Sequence, residues 1–397
     1  MTPSTSAWKG KTIRFLAAQT ISLLGSSLVQ YAIIWYITLT TSSGAMMTLS
    51  TVCGFAPQIL ISLFAGVWID RYPRRRIIML ADGMIAAATL ALALLFLTGL
   101  GSLWMLFAAL LVRSAGTGVQ TPAVNALIPQ IVPREQLMRV NGVQSTLSSI
   151  TMLLSPAISG AILSAASIEA IFLIDVVTAA IGIAITLTVD VPFQPADRAE
   201  SPLRQIGRGF GYLRGHLFVR RLLLSQVAVL ILISPSAFLT PLMVSRTFGA
   251  EVWYLTASEM TFSLGMVVGG LLIAAWGGFK SRIRTTLAAG LLYGALMIGL
   301  GAAPVFWAYL VCNLLIGITS PCYNAPITVL IQERVAPEMH GRVFSLMQIA
   351  SSCALPLGMV FFGPLADLAP VQAILIGCGA AVMVLIGALA VSRRLEV

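Results

Sequence analysis

The sequence predicts an all-α integral membrane protein with twelve transmembrane helices in two six-helix bundles. Three observations lead there. Of 397 residues, 58% are hydrophobic and 10% charged, where a soluble domain carries charge at roughly a quarter of its positions. The 24 lysines and arginines gather in alternate loops, all except Arg113 and Arg246. The two halves also repeat each other. Thr121-Pro122-Ala123-Val124-Asn125-Ala126 is echoed by Ser320-Pro321-Cys322-Tyr323-Asn324-Ala325, Pro133 with Arg139-Val140 by Pro337 with Arg342-Val343, and Ser155-Pro156 by Leu355-Pro356. The copies run in the same orientation, as parallel six-helix repeats require.

Each span follows from about 20 apolar residues between polar breaks. Span 1 is expected at 14–39, after Lys9, Lys11 and Arg14, and span 2 at 45–69, ending on Asp70 and four arginines. Spans 3 and 4, at 77–99 and 103–130, meet at a short Gly-rich turn. Spans 5 and 6 follow at 140–165 and 168–189. The long polar stretch 190–221 then carries Pro192, Pro195 and Pro202, followed by Leu203, Ile206, Phe210 and Leu213 at helical spacing among arginines. It predicts a linker and an amphipathic helix on the membrane surface. Spans 7 to 12 are expected at 219–245, 252–278, 284–302, 305–332, 342–368 and 371–391. The domains are thus residues 1–190, a linker at 191–218, and residues 219–397.

The basic loops set topology: they face the cytoplasm, with both termini, in the cell membrane. The net charge of +10 therefore signals orientation. No basic groove with interleaved aromatics points to nucleic acid. Cys53, Cys312, Cys322, Cys353 and Cys378 all lie in apolar spans without a Cys-x-x-Cys pair, against a disulfide framework or a metal site. Residues 1–11 lack a signal-peptide core, so span 1 is expected to be retained. With no nucleophile elbow, phosphate loop or histidine cluster, the chain is not expected to be an enzyme.

Between spans 2 and 3 stands Gly66-Val67-Trp68-Ile69-Asp70-Arg71-Tyr72-Pro73-Arg74-Arg75-Arg76. It resembles the signature loop of the major facilitator superfamily of transporters. The resemblance implies a cytoplasmic latch built from Gly66, Asp70, Arg71, Arg74 and Arg75. Gly66 would permit close helix approach, and Asp70 would accept from a helix N-terminus and pair with an arginine across the halves. Pro73 stands where the family often has glycine. The second half has a worn copy, Gly269-Gly270 through Lys280-Ser281-Arg282, without an aspartate.

Arg113 lies about 15 Å into span 4 by helical rise, costly there unless paired or hydrated. With Gly116 and Gly118 it is similar to the arginine motif of drug–proton antiporters, although Ala115 replaces the usual glutamine. It either helps move a proton or is a structural arginine paired with a carboxylate or carbonyl. Three carboxylates lie within spans and clear of their ends: Asp82, Asp175 and Glu259. Burial favours their neutral form, which suits proton loading. Glu259 is the first candidate, because no basic residue accompanies it and spans 2 and 8 move in this fold. Asp175 and Asp82 lie on spans that the family places outside the cavity, where a structural role is commoner. Ser155-Pro156-Ala157-Ile158-Ser159-Gly160 resembles the kinked exporter motif of span 5, with Ser155 for glycine.

The family assigns the cavity to spans 1, 4, 7 and 10. The substrate-cavity candidates are Gln19, Ser26, Gln30, Asn125, Gln226, Asn313 and Asn324, with Ser22, Ser234-Pro235, Gly317, Ser320 and Thr328 on the same polar faces. Such stripes line water or bind one another. Trp35, Tyr36, Met46 and Met47 either contact an apolar solute or anchor at the interface. The chain resembles the macrolide-efflux-like branch of drug–proton antiporters through its signature loop, the Pro-x-x-Asn-Ala element and the loop from Pro337 to Val343. That implies a monomer in the bilayer exporting an amphipathic small molecule against protons, with no cofactor beyond the proton gradient. A siderophore, lysolipid or metabolite exporter of the same fold is the alternative, and a non-transporting membrane sensor a more distant one.

Overall fold

The computed structural model describes residues 7–191, 211, 215–336 and 339–391. Among these, every regular element is helical, and twelve helices are long and apolar enough to cross a membrane. They run Trp8–Thr41, Gly44–Arg71, Arg74–Leu97, Leu103–Ile131, Arg134–Ala165, Ile168–Leu187, Leu217–Thr247, Val252–Trp276, Arg282–Ala302, Phe306–Arg334, Val343–Leu368 and Val371–Val391. These are spans 1 to 12 below. The expected amphipathic helix on Leu203, Ile206, Phe210 and Leu213 lies outside the described residues.

Span 1 begins earlier than its apolar run, and the neighbouring charges explain why. Lys11 Nζ donates to the carbonyl of Asp190 at 2.9 Å, Arg14 Nη1 to that of Thr188 at 3.3 Å, and Arg75 Nη1 to that of Val189 at 2.9 Å. All three meet the C-terminal end of span 6, where helix carbonyls are left unsatisfied and carry partial negative charge. A polar turn is thus held helical by partners outside its own hydrophobic run.

Span 7 is two helices, Leu217–Phe238 and Thr240–Thr247, meeting at Leu239. Pro235 lies inside the first of them, and the break comes four residues beyond it. Pro241 decides its place: it has no N–H and clashes with a preceding turn, so it is tolerated only at a helix start. Span 5, by contrast, continues as one helix, Leu137–Ala165, through Pro156.

Glycines set the packing of span 8 on span 10. A Cβ at Gly265 would strike the Leu314 carbonyl, one at Gly269 that of Ile318, and one at Gly317 that of Phe262. Small residues let membrane helices approach to backbone contact. Gly269, expected in the worn signature copy, is a packing glycine.

The chain forms two compact units, Met1–Tyr36 with Cys53–Pro202, and Ile37–Val52 with Leu203–Val397. The turn between spans 1 and 2, with the adjoining helix ends, groups with the second unit. In the first unit Phe15, Ile69, Ile78, Leu127 and Ile131 share one apolar cluster. In the second, Leu222, Tyr323, Ile327, Val343 and Ile386 share another.

Candidate functional site

The first unit holds a buried ion pair. Arg113 and Asp175 are 5% and 0% exposed, and Arg113 Nη1 lies 2.5 Å from Asp175 Oδ2. Arg113 also donates to the Thr89 hydroxyl and, through Nη2, to the Ser26 carbonyl at 3.1 Å. Thr89 donates to Asp175 Oδ2 at 3.0 Å and Ser26 to its Oδ1 at 3.3 Å. Spans 1, 3, 4 and 6 thus each supply a polar group to one cluster. Arg113 is thus paired with a carboxylate and a carbonyl. The satisfied lone pairs matter, because a buried ion pair persists only when its remaining donors and acceptors are also met.

Asp82 is a second buried carboxylate, 3% exposed, in span 3. Its Oδ1 accepts from Gln120 Nε2 at 2.7 Å and from Ser22 Oγ at 3.3 Å. No cation is recorded against it among the described residues. Span 4 meets both aspartates, Asp175 through Arg113 and Asp82 through Gln120.

Two cavities open beside these clusters. One of about 230 Å³ is lined by Ser26, Gln30, Gln58, Arg113, Ser114 and Thr117 with Phe55, Ile85 and Leu110. The other, about 170 Å³, is lined by Gln19, Thr20, Gln120, Thr121, Asn125, Gln144 and Ser148 among leucines and Val124. Gln19 Nε2 is buried there without a hydrogen-bond partner. The expected cavity residues of the first half therefore fall into two groups, Ser26 with Gln30 and Gln19 with Asn125.

The second unit uses its polar residues differently. Asn313, 5% exposed, donates to the Ser258 carbonyl at 2.7 Å. It fastens span 10 to span 8. Ser258 and Tyr309 share a hydroxyl hydrogen bond at 2.7 Å. Gln226 reaches Asn324 at a long 3.4 Å, while Asn324 donates to the Ser320 carbonyl at 3.0 Å. Asn324 and Ser320 line a small apolar cavity of about 20 Å³ with Tyr293 and Tyr323. Glu259 is half-buried in span 8, with no hydrogen bond or ion pair recorded among the described residues. Trp35 and Met47 are buried, 0% and 2% exposed, so neither offers a solute contact in this structure.

The signature loop binds mainly backbone. Arg74 Nη1 donates to the Ala126 carbonyl at 2.5 Å and Arg75 to that of Val189. Asp70 is half-buried and Arg71 exposed, with no ion pair recorded for either among the described residues. A Cβ at Gly66 would meet nothing within 4 Å.

Sequence reasoning missed Thr89, Gln58 and Gln120, and the signal for Gln120 was present. Arg113, Thr117 and Gln120 stand at i, i+4 and i+7, which is one helix face. Asp82 and Thr89 share a face of span 3 in the same way. Arg246 was visible as an exception to the charge pattern, but its partner Asp367 was not singled out.

The comparisons agree with this architecture. Residues 15–354 match the model of the Major Facilitator Superfamily. Macrolide efflux protein A of Streptococcus pyogenes is 33% identical over 91% of this chain and 90% of its own length. Its Enterococcus faecalis counterpart is 33% identical over 80% and 100%. The multidrug efflux pump Tap of Mycobacterium tuberculosis is 26% identical over 92% and 89%. Among solved structures, a POT family transporter in complex with 5-aminolevulinic acid has a TM-score of 0.76 at 13% identity, covering 96% of both chains. The nucleoside transporter NupG has a TM-score of 0.73 at 14% identity, covering 96% and 98%. At such identities these likenesses speak to fold alone.

Proposed function

The chain belongs to the major facilitator superfamily, and we propose that it exports an amphipathic, macrolide-like solute across the cytoplasmic membrane in exchange for protons. The basic loops and both termini face the cytoplasm in this reading. The observation that carries the mechanism is the Arg113–Asp175 pair, whose arginine also lines the cavity shared with Ser26 and Gln30.

The coupling follows from the chemistry of that pair. An ionised carboxylate deprived of its cation is costly in a low-dielectric interior. Drawing Arg113 away from Asp175 and protonating Asp175 are therefore linked events. With Asp175 protonated, the Arg113 charge beside the cavity is uncompensated and disfavours an apolar or cationic solute there, so proton and solute occupy the site in turn. Alternating access of the two six-helix repeats, residues 1–190 and 219–397, carries solute and proton in opposite directions. Glu259 and Asp82 are the further proton-coupling candidates, Glu259 because no fixed partner is recorded for it among the described residues. The wall chemistry of amides, hydroxyls and apolar side chains suits a bulky neutral or cationic solute. It does not suit a phosphorylated one, which would need more cations than Arg113. The latch assigned to Gly66, Asp70, Arg71, Arg74 and Arg75 belongs to another state of the cycle.

Inside-out vesicles given labelled macrolide and an acid-inside gradient test this. Uptake abolished by a protonophore is expected, and uptake indifferent to the gradient would remove the exchange mechanism. Asp175→Asn should retain equilibrium exchange of solute while losing accumulation against a gradient. Glu259→Gln is the parallel test, and it assigns the proton to whichever variant loses coupling.

A further inference from the structure

At the ends of the spans remote from the arginine-rich loops, one carboxylate collects an unusual number of partners. Asp367, in the last turn of span 11, accepts the Gly44 N–H on Oδ1 at 2.7 Å and the Ala45 N–H on Oδ2 at 2.9 Å. The Ser43 hydroxyl donates to Oδ2 at 2.9 Å as well. The carboxylate thus caps the N-terminus of span 2, where unsatisfied N–H groups favour an anion. Arg246, in the short second helix of span 7, completes the arrangement. It lies 3.2 Å from Asp367 Oδ1, donates to the Ala366 carbonyl at 2.6 Å, and donates through Nη2 to the Ser42 carbonyl. Ser42 holds a left-handed φ of 44°, uncommon for a residue with a side chain.

The backbones beneath are in contact. A Cβ at Gly44 would strike the Gly363 carbonyl, and Thr48 Oγ1 donates to the Met359 carbonyl at 2.9 Å. This is why Ile37–Val52 groups with the second unit, although spans 1 and 2 otherwise belong to the first. The ends of two helices are held by spans 7 and 11 while their other ends are committed elsewhere.

We propose that Asp367 and Arg246 form a gate clasp that closes the outer end of the transporter and must release spans 1 and 2 for solute to leave. The inference rests on the alternating-access reading. Its chemistry fits a contact made to open. Arg246 and Asp367 are 33% and 31% exposed, so water replaces each hydrogen bond as it breaks, and the net cost of opening stays small. A permanent join would instead bury apolar side chains, which lose stability when exposed. Gly44 and Gly363 bring the backbones close without interlocking side chains that would have to be disentangled.

The test locks the clasp. The double variant Ser43→Cys with Asp367→Cys is oxidised in vesicles, and the joined peptides are identified by mass spectrometry, with each single variant as control. The expected result is a cross-link that lowers solute transport at least tenfold, with recovery on reduction. A cross-linked protein that transports as fast as its reduced form overturns the proposal, as does failure to cross-link under any gradient. A second measurement needs no transported solute. Gln30→Cys, in the cavity beside Arg113, is labelled from the outer side by a membrane-impermeant maleimide, with and without Asp367→Asn. Labelling at least threefold faster in the clasp variant is expected, and an unchanged rate overturns the proposal. If the wild type carries no macrolide but the labelling rate responds, the substrate reading fails and the clasp stands.

Discussion

The two units of this protein repeat a spacing but not a chemistry. Asn125 and Asn324 occupy matching places in the two halves, as do Pro122 and Pro321. Around them, the first unit buries Arg113, Asp175 and Asp82, whereas the second buries neutral donors and acceptors such as Asn313, Ser258 and Tyr309. The position matching Arg113 is Cys312, and the next residue, Asn313, makes the corresponding reach to a neighbouring helix. A neutral amide needs no counter-ion, so it fastens helices without any dependence on proton or solute. A guanidinium needs one, and that need makes the first unit responsive. Duplicated bundles can thus differ in how they tie their helices, the first through a buried ion pair and the second through neutral groups beside a half-buried Glu259.

Three substitutions sharpen or break this contrast. The largest effect belongs to Arg113→Ala, which leaves Asp175 buried and unpaired, a loss of about 3–5 kcal/mol. The midpoint of thermal aggregation in detergent should fall steeply, and adding Asp175→Asn should recover most of it. A single variant as stable as wild type would erase the distinction between the units. Next is Asn313→Leu, which strips the Ser258 carbonyl of its donor and should cost about 1–3 kcal/mol. Transport per folded molecule should be unchanged, and altered proton coupling would show that the second unit is not a neutral frame. The smallest effect is expected of Gln226→Leu. Its bond to Asn324 is long and its Oε1 is buried without a partner, so stability should move by less than about 1 kcal/mol. A larger loss would reveal a role for that amide which the geometry does not explain.

The twelve spans were readable because lipid imposes a length and a composition on every helix that crosses it. Arg113 stood out for the same reason, as a charge at a depth where charges are costly. Its partner did not, because which helix faces another is fixed by side-chain packing. Nothing in the separation of Arg113 from Asp175 by 62 residues marks them as neighbours. The polar stripe of span 10 was ambiguous in kind: Asn313 and Asn324 share a face, yet one ties two helices together and the other borders a cavity. The break at Leu239 has a local cause in Pro241, at the start of the next helix, but no hydrophobic pattern marks it, because both helices belong to one apolar run. Gly66 shows the limit of a matched motif, since the loop is intact while the contact implied by its glycine is not made here.

The cations around the end of span 6 carry one more consequence, for how this protein meets its lipids. Lys11, Arg14 and Arg75 are engaged with the carbonyls of residues 188–190, and Arg74 with that of Ala126. A basic residue near a membrane surface attracts anionic headgroups by about 1 kcal/mol, but only with charge free to face them. Lys9, Arg71, Arg76 and Arg139 are exposed and retain that freedom. The engaged four keep their charge but also hold helix ends, so neutralising them would loosen the bundle, whereas neutralising Lys9 or Arg76 would change mainly the protein's hold on the bilayer.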